Sequence, residues 1–466
     1  MSVEAATAIA RAVRDEGGRA LIVGGWVRDR LLGFASKDVD LEVFGLPPER
    51  LRALLLRFGS VNSVGESFTV YKVCEIDVAL PRRDSKVAPG HRGFEVVGDP
   101  HMTIEEAARR RDFTVNAISW DPLTGEYLDP FEGREDLLTR KVLRAVDPRT
   151  FADDSLRVLR GVQFAARFNL GMDSDTKALC RRIPLDDLPA ERIWGEVEKL
   201  LLLADRPSVG FELARELGVV QRMFPELNAL IDCPQEPEWH PEGDVWVHTL
   251  MVIDQARTRI DDLDRPRQIT VMLGAVCHDL GKPLTTAVID GRIRSMEHEQ
   301  EGIPPTIALL DRLNVHTIGG FDVRRQVIGI VANHLAPNAF FKSKTPVGDG
   351  AFRRLAQKVD LELLARLAES DCMGRTGNFD CSGIRWFVER AQALGVEHAP
   401  PEPIVKGRHL LELGVAPGPG MGQLLKEIYE RQLDGRVSTL DEGIAVAREL
   451  IEPADRRGSR GTNEAV

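Results

Sequence analysis

Hydrophobic and polar positions change rhythm along this chain. Over residues 1–135, short apolar runs alternate with Gly and Pro punctuation. LIVGG, DVDLEVF, FTVYKVCEIDVAL and the stretch around FTVNAISWD read there as strands or strand–helix junctions. The opening MSVEAATAIARAVRDEGG has the periodicity of an amphipathic helix. From about Lys141 the helical period dominates, in DDSLRVLRGVQFAARFN, ERIWGEVEKLLLL and SVGFELARELGVVQRMF. The Pro- and acid-rich Asp232–Asp244 interrupts it as a linker or an active-site loop, and His398–Gly407 marks a second break. The terminal RRGSRGTNEAV is read as disordered. The expected fold class is α+β, with parts at residues 1–135, 136–205, 206–396 and 397–466.

The most informative pattern is Leu21–Phe44, which reads as strand, Gly24-Gly25 turn, short helix and second strand. In the second strand, Val39, Leu41 and Val43 share one face, and Asp38, Asp40 and Glu42 share the other. Neighbouring carboxylates on an exposed face repel unless a cation lies between them. A divalent ion held this way suits phosphoryl or nucleotidyl transfer. The glycine turn into a helix offers backbone N–H groups to a triphosphate. These three parts together suggest a nucleotidyltransferase.

Asp77, in CEIDVALPRRD, is a candidate third carboxylate on a neighbouring strand; its alternative is a solvated strand face. In RRRDFTVNAISWDP, Arg110 and Arg111 can neutralise phosphate charge, and Asp112 and Asn116 share a face at helical spacing. Asp154, Arg157 and Arg160 do the same farther on. A carboxylate beside a guanidinium can read the Watson–Crick edge of a base, and an ordinary ion pair is the alternative.

Composition narrows the classes. Hydrophobic content of 43% and charged content of 29% fit a globular chain. No apolar run reaches membrane-spanning length and the N-terminus lacks a signal-peptide core, so the expected location is the cytosol. Six cysteines without a CxxC pair are expected to be reduced and structural. A net charge of −11 argues against a general nucleic-acid coat. A local basic groove is compatible with it: Arg134–Arg167 holds eight Arg/Lys against five Asp/Glu.

A second constellation follows. His248 lies in a helical pattern, and the adjacent His278-Asp279 sits at a helix end stopped by Gly281 and Pro283. His334 and Asp371 lie farther on. Histidines and carboxylates in this order supply ligands for a divalent phosphohydrolase site. His298, His316 and His398 are read as structural histidines.

The order GGWVRDRLLG, DVDLEV, RRDFTVNA, DPFEGREDL, DDSLRVLRGVQFAARF and ERIWGEVEKLL resembles the class II tRNA nucleotidyltransferases, the CCA-adding enzymes and their poly(A) polymerase relatives, over roughly residues 20–205. The resemblance implies a polymerase-β-like head with a small mixed sheet, then a helical neck. It implies that Asp38 and Asp40 hold catalytic Mg²⁺ and that Gly24, Gly25, Arg28 and Asp29 lie at the triphosphate end. Arg111, Asp112 and Asn116 would contact ribose and phosphates. Asp154, Arg157 and Arg160 would select the base, with Glu191 and Arg192 supporting the neck. Where the family often has Glu-Asp-Pro, this chain has Asp153-Asp154-Ser155. The later segment, with CHDLGKP, resembles the HD phosphohydrolase superfamily, which implies a divalent metal at His248, His278, Asp279 and Asp371. Two-metal members of that superfamily leave His298 and His334 open as further ligands. The implied activity is template-independent addition of CCA to tRNA from CTP and ATP, with metal-dependent phosphohydrolysis in the second half. No membrane and no obligate protein partner are implied. The alternatives are CC-adding, A-adding or poly(A) polymerase activity, a phosphohydrolase with a non-catalytic head, or an RNA-binding scaffold.

Overall fold

The computed structural model describes residues 2–35, 38–64, 70–86 and 94–458, and the chain divides into two compact units, Met1–Asn228 and Ala229–Val466. Unit 1 is built on a mixed sheet. Its strands are β1 (Arg19–Val23), β2 (Val39–Phe44), β3 (Asn62–Val64), β4 (Val70–Val73) and β5 (Ile76–Ala79). After the separate ribbon β6 (Arg82–Lys86) and β7 (Phe94–Gly98), β8 (Ser119–Trp120) and β9 (Tyr127–Leu128) complete it. The spatial order is β3-β4-β5-β2-β1-β8-β9, with β2 and β5 parallel and the other neighbours antiparallel.

Strand alternation divides the sheet into two faces. Ala20, Ile22, Val39, Leu41 and Val43 pack against Ala6, Ile9, Ala10 and Val13 of α1 (Ser2–Asp15) and against Leu51, Leu54 and Leu55 of α3 (Pro48–Leu55). Leu21, Val23 and Phe44 go to the other face, with Met102 and with Ala107 of α4 (Ile104–Arg109). The first face is therefore fully apolar, and the second is free to carry charged residues beside a smaller core. α2 (Gly25–Leu32) follows β1 directly. The helices Leu156–Phe168, Ala190–Leu203 and Pro207–Glu216 pack on one another to finish the unit.

Unit 2 is helical. Val245–Arg257, Arg265–Cys277, Val323–Asn333 and Leu361–Met373 pack together. Aspartates fix their starts: Asp244 accepts from the Val247 N–H, Asp264 from Arg267, Asp322 from Arg325 and Asp360 from Glu362 and Leu363. A hairpin, Thr286–Ile289 with Arg292–Ser295, projects between the second and third of these helices in the chain. The last helices, Pro419–Leu433 and Leu440–Gly458, enclose a small core of Val405, Leu410, Ile428 and Ala447. The expected disordered tail overlaps the end of the last helix through Gly458, and residues 459–466 lie outside the described residues. No helix among the described residues is long and apolar enough to cross a membrane.

Cys372 and Cys381 form a disulfide with Cα atoms 6.0 Å apart, which corrects the expectation that all six cysteines are reduced. The pair lies outside any CxxC spacing. The helix Leu361–Met373 ends and the chain returns into Ser382–Ala393, which brings the two together. The buried Cys180 thiol is pushed up to about 12 by burial.

Candidate functional site

In unit 1 the register fixes the carboxylates. Val23 pairs with Asp40, and Asp40 pairs with Asp77 across the parallel β2–β5 ladder. Asp38 is exposed just before β2 begins. Gly24 stands directly above: a Cβ there would lie 3.2 Å from a guanidinium nitrogen of Arg111 and 3.6 Å from Oδ2 of Asp40. Its φ of +73° belongs to the left-handed region that glycine adopts without strain. The backbone turn, the Asp40 carboxylate and the Arg111 guanidinium thus converge within contact distance, with Asp77 on the neighbouring strand. The Asp40 carboxyl is held above its ordinary range, first by desolvation and then by the charges of Asp77 and Asp38, with Arg111 opposing. A carboxylate pressed in this way by neighbouring carboxylates is a place where a divalent cation could be held. Asp77 also meets Lys72 at 3.3 Å.

Glu42 departs from the expected exposed face. It is buried beneath Arg110 at 3.0 Å and Arg111 at 3.4 Å. The alternation is correct, but α4 and the turn after it cover that end of the strand with two guanidinia.

A buried relay lies beside the carboxylates. Arg28 donates to Oδ1 of Asp29 at 2.6 Å and to Oδ1 of Asn116 at 2.7 Å, and its guanidinium lies 4.2 Å from the Phe168 ring centroid. Asn116 Nδ2 donates to Asp112 at 2.9 Å, and Arg160 donates to the other Asp112 oxygen at 2.7 Å. The Phe113 N–H also donates to Asp112 at 2.7 Å. Burial pushes the Asp112 carboxyl up, but the Arg160 charge and these hydrogen bonds outweigh it and hold the group below its ordinary range. Asp112 and Asn116 are therefore buried and engaged with Arg160 and Arg28. The helix expected over them is a single tight turn, Thr114–Asn116, yet the contact between them is made.

The expected Asp154–Arg157–Arg160 face is also rearranged. The helix starts at Leu156, so Asp154 precedes it. Asp154 accepts from Arg192 at 2.9 Å, not from Arg157. Arg157 donates to the carbonyls of Thr150 at 2.7 Å and of Arg110 at 2.6 Å. Two of its five donors are used there, so others remain for a ligand. Glu191 is exposed at the start of the helix Ala190–Leu203.

In unit 2 the structure brings His248, His278, Asp279 and Asp371 together with His298 and His334, all buried. His278, His298 and His334 each donate Nδ1–H to the carbonyl three residues back, on Ala275, Ser295 and Val331, at 2.8–2.9 Å. This fixes the tautomer and leaves each Nε2 lone pair facing the cluster. His298 and His334 Nε2 lie 3.2 Å apart, and His278 Nε2 lies 3.1 Å from Oδ2 of Asp279. His298 Nε2 is also 3.4 Å from Oδ1 of Asp279. So many acceptors at contact distance need positive charge between them, and the donor set fits divalent cations. Among the described residues three neighbouring groups of three ligand atoms here are close enough to share an ion: His248, His278 and Asp371; Asp279, His298 and His334; and His240, Glu242 and His248.

Charge at the cluster follows the same logic. Burial pushes Asp279 up, but the neighbouring His278 imidazole and Lys282 ammonium outweigh it and hold the carboxyl well below its ordinary range. Burial and the neighbouring His298 and His278 press His334 down to about 3. Burial would lower His248, but hydrogen bonds to Asp371 and Glu242 outweigh it and raise the group. Lys282 places Nζ 2.7 Å from Asp279 and 2.6 Å from Oε1 of Gln235. Arg375 approaches Asp371 at 3.3 Å. Gly281 permits the closure: a Cβ there would lie 2.0 Å from the His298 carbonyl oxygen.

Comparison with known proteins places these geometries. Residues 20–144 match the family described as Poly A polymerase head domain, and residues 172–231 match the probable RNA and SrmB-binding site of polymerase A. A multifunctional CCA protein of Thioalkalivibrio sulfidiphilus is 38% identical over 372 residues, covering 77% of this chain and 86% of the relative. One from Acinetobacter baumannii is 34% identical, covering 84% and 94%. The chain belongs to the multifunctional CCA protein family.

The fold agrees with that membership. The crystal structure of the Bacillus stearothermophilus CCA-adding enzyme in complex with CTP superposes with a TM-score of 0.65 at 21% identity, covering 97% of this chain and 98% of that one. In this CCA protein family member, Asp40, Asp77, Arg111, Asp112 and Asn116 fall within the matched head span and Arg192 within the second span. The unit 2 cluster lies beyond both. Sequence reasoning missed Lys282 and Glu242, whose signals are the Lys three residues after Asp279 and the acid in the Pro-rich loop. Of the two readings the sequence leaves for His298, structural or a further ligand, the structure places it in the cluster, after the hairpin that precedes it. His316 is exposed, and His398 lies apart beside Asp360 and Glu362.

Proposed function

We propose that this chain adds CCA to the 3′ end of tRNA, using CTP and ATP. The observation that carries the reading is the Asp40–Asp77 pair under the Gly24 turn with Arg111 alongside. The RNA 3′-hydroxyl oxygen bonds to the α-phosphorus as its proton passes to water, the α–β bridging bond breaks and pyrophosphate leaves. Asp38 and Asp40, with Asp77 beside them, would hold Mg²⁺, which when bound stabilises charge on the phosphate oxygens. The Gly24 and Gly25 backbone and Arg111 take the triphosphate. Arg28 and Asp29 brace that turn from beneath, and Asp112 and Asn116 hold Arg28 and Arg160 in place. Asp154 and Arg157 select the base, with Arg192 orienting the Asp154 carboxylate. Titrating CTP and ATP separately on tRNA that lacks its CCA end tests this reading; failure to extend with both present refutes it.

A second activity is proposed for unit 2, on the observation that three histidines lock their Nε2 lone pairs toward Asp279. The cluster would be an HD-type phosphohydrolase site, with His248, His278, Asp279 and Asp371 as metal ligands and His298 and His334 joining them. A bound divalent metal would supply Lewis-acid activation of water. Lys282 and Arg375 neutralise the substrate phosphate. Water oxygen bonds to phosphorus, one ester P–O bond breaks, and the water proton goes to the leaving oxygen. Substrates of this class include 2′,3′-cyclic phosphate ends. The finer division at residues 1–135, 136–205, 206–396 and 397–466 is proposed as head, neck, HD domain and C-terminal helical unit. Metal-dependent opening of a 2′,3′-cyclic phosphate to a phosphomonoester, lost in His278→Ala while nucleotide addition persists, is the expected result.

A further inference from the structure

The cavity at the unit 2 cluster has a volume of about 200 Å³. Pockets that enclose a drug-sized ligand run to roughly 300–1,000 Å³, so this one suits a phosphate group and leaves the rest of a larger ester outside. What stands at its rim is therefore informative. The cavity wall includes Trp239, Lys282, His298, Asp371 and Arg375. Trp239 is 48% exposed, an unusual position for so large an apolar ring. Among the described residues its indole has no ring or hydrogen-bond partner.

The backbone that carries it is fixed on both sides. The N–H groups of Trp239 and His240 both donate to the Glu236 carbonyl, at 3.0 and 2.9 Å. Glu236 accepts from the Ile293 N–H at 2.9 Å, and Glu238 pairs with Arg292 at 3.0 Å, so the hairpin holds the loop. On the other side His240 meets Glu242 at 2.8 Å. The indole is an exposed aromatic plane, carried by a held backbone, next to a phosphate-sized cavity. A loop already held in place lowers the ordering cost of binding. A nucleobase on a phosphorylated ribose is the planar group that such a surface fits, because stacking needs only a π-face.

We propose that Trp239 is a base-stacking platform, so that the unit 2 site prefers phosphoesters carrying a nucleobase next to the phosphate. The proposal rests on the phosphohydrolase reading of that site. The test uses the full chain with Mg²⁺, Mn²⁺ or Ni²⁺ and two substrates of identical phosphoester chemistry: a nucleoside 2′,3′-cyclic phosphate and the base-free methyl riboside 2′,3′-cyclic phosphate. The readout is the ratio of their kcat/KM values. Trp239→Ala should lower that ratio by about 5- to 150-fold, the range for one base stacked on an aromatic side chain, and Trp239→Phe should restore most of it. An unchanged ratio in Trp239→Ala, with both substrates hydrolysed, overturns the platform alone. Hydrolysis of neither substrate by the parent chain overturns the phosphohydrolase reading and the platform with it.

Discussion

Gly281→Ala would test whether the unit 2 cluster depends on the backbone closure seen around it. The added Cβ would lie 2.0 Å from the His298 carbonyl oxygen and 2.6 Å from the Gly302 nitrogen. Both are backbone atoms, so no side chain can swing away. The His298 segment must retreat by about 1 Å or more to reach ordinary contact, an overpacking cost of about 1–3 kcal/mol that a helical unit of this size can absorb. His298 Nε2 now sits 3.4 Å from Asp279 and 3.2 Å from His334. Ligand distances tolerate only about 0.2 Å, so that retreat removes one ligand from the set. Divalent affinity should fall roughly 10- to 100-fold, as it does when supporting contacts around ligands are lost. Calorimetric titration of metal-stripped protein with Mn²⁺ measures this, and nucleotide addition by the same preparation shows that the protein is folded. Unchanged stoichiometry, with affinity within about twofold of the parent, would refute the link between Gly281 and the cluster.

Asp112→Asn should destabilise unit 1 by about 2–4 kcal/mol at neutral pH, because it leaves Arg160 without its buried partner. The folded Asp112 carboxyl lies below its unfolded value, so its stabilisation is present above about pH 4 and is lost as pH falls through the folded pKa. The gap between parent and variant, read by hydrogen exchange of the unit 1 core in urea, should therefore close in acid; a gap independent of pH contradicts this. Asp40→Asn should lower tRNA extension by roughly 10³-fold or more, with tRNA binding retained by gel shift. Arg192→Ala should relax the choice between CTP and ATP by roughly 5- to 10-fold through the freed Asp154 carboxylate, and unaltered selectivity would remove Arg192 from base reading.

The apolar faces were legible because strand and helix periods are local. Val39, Leu41 and Val43 go to one core and Asp40 to the other face, as alternation requires. The Gly24-Gly25 turn and the helix ending at His278-Asp279 were legible for the same reason. Pairings set by distant chain segments were not. Glu42 takes its partners from 68 and 69 residues away, and Asp154 takes Arg192 from 38 residues away in place of its helical neighbour. His298 looks isolated in sequence and is delivered by a hairpin and the contact at Gly281. Cys372 and Cys381 meet only because a helix ends between them.

The most direct test of the central claim is extension of tRNA lacking its CCA end, resolved to single nucleotides, with CTP alone, ATP alone and both. Addition of C, C and A with both nucleotides, stopping there and lost in Asp40→Asn, is the predicted result. Arrest after CC, addition of A only to a CC-ended tRNA, a long A tail, or no addition would contradict it.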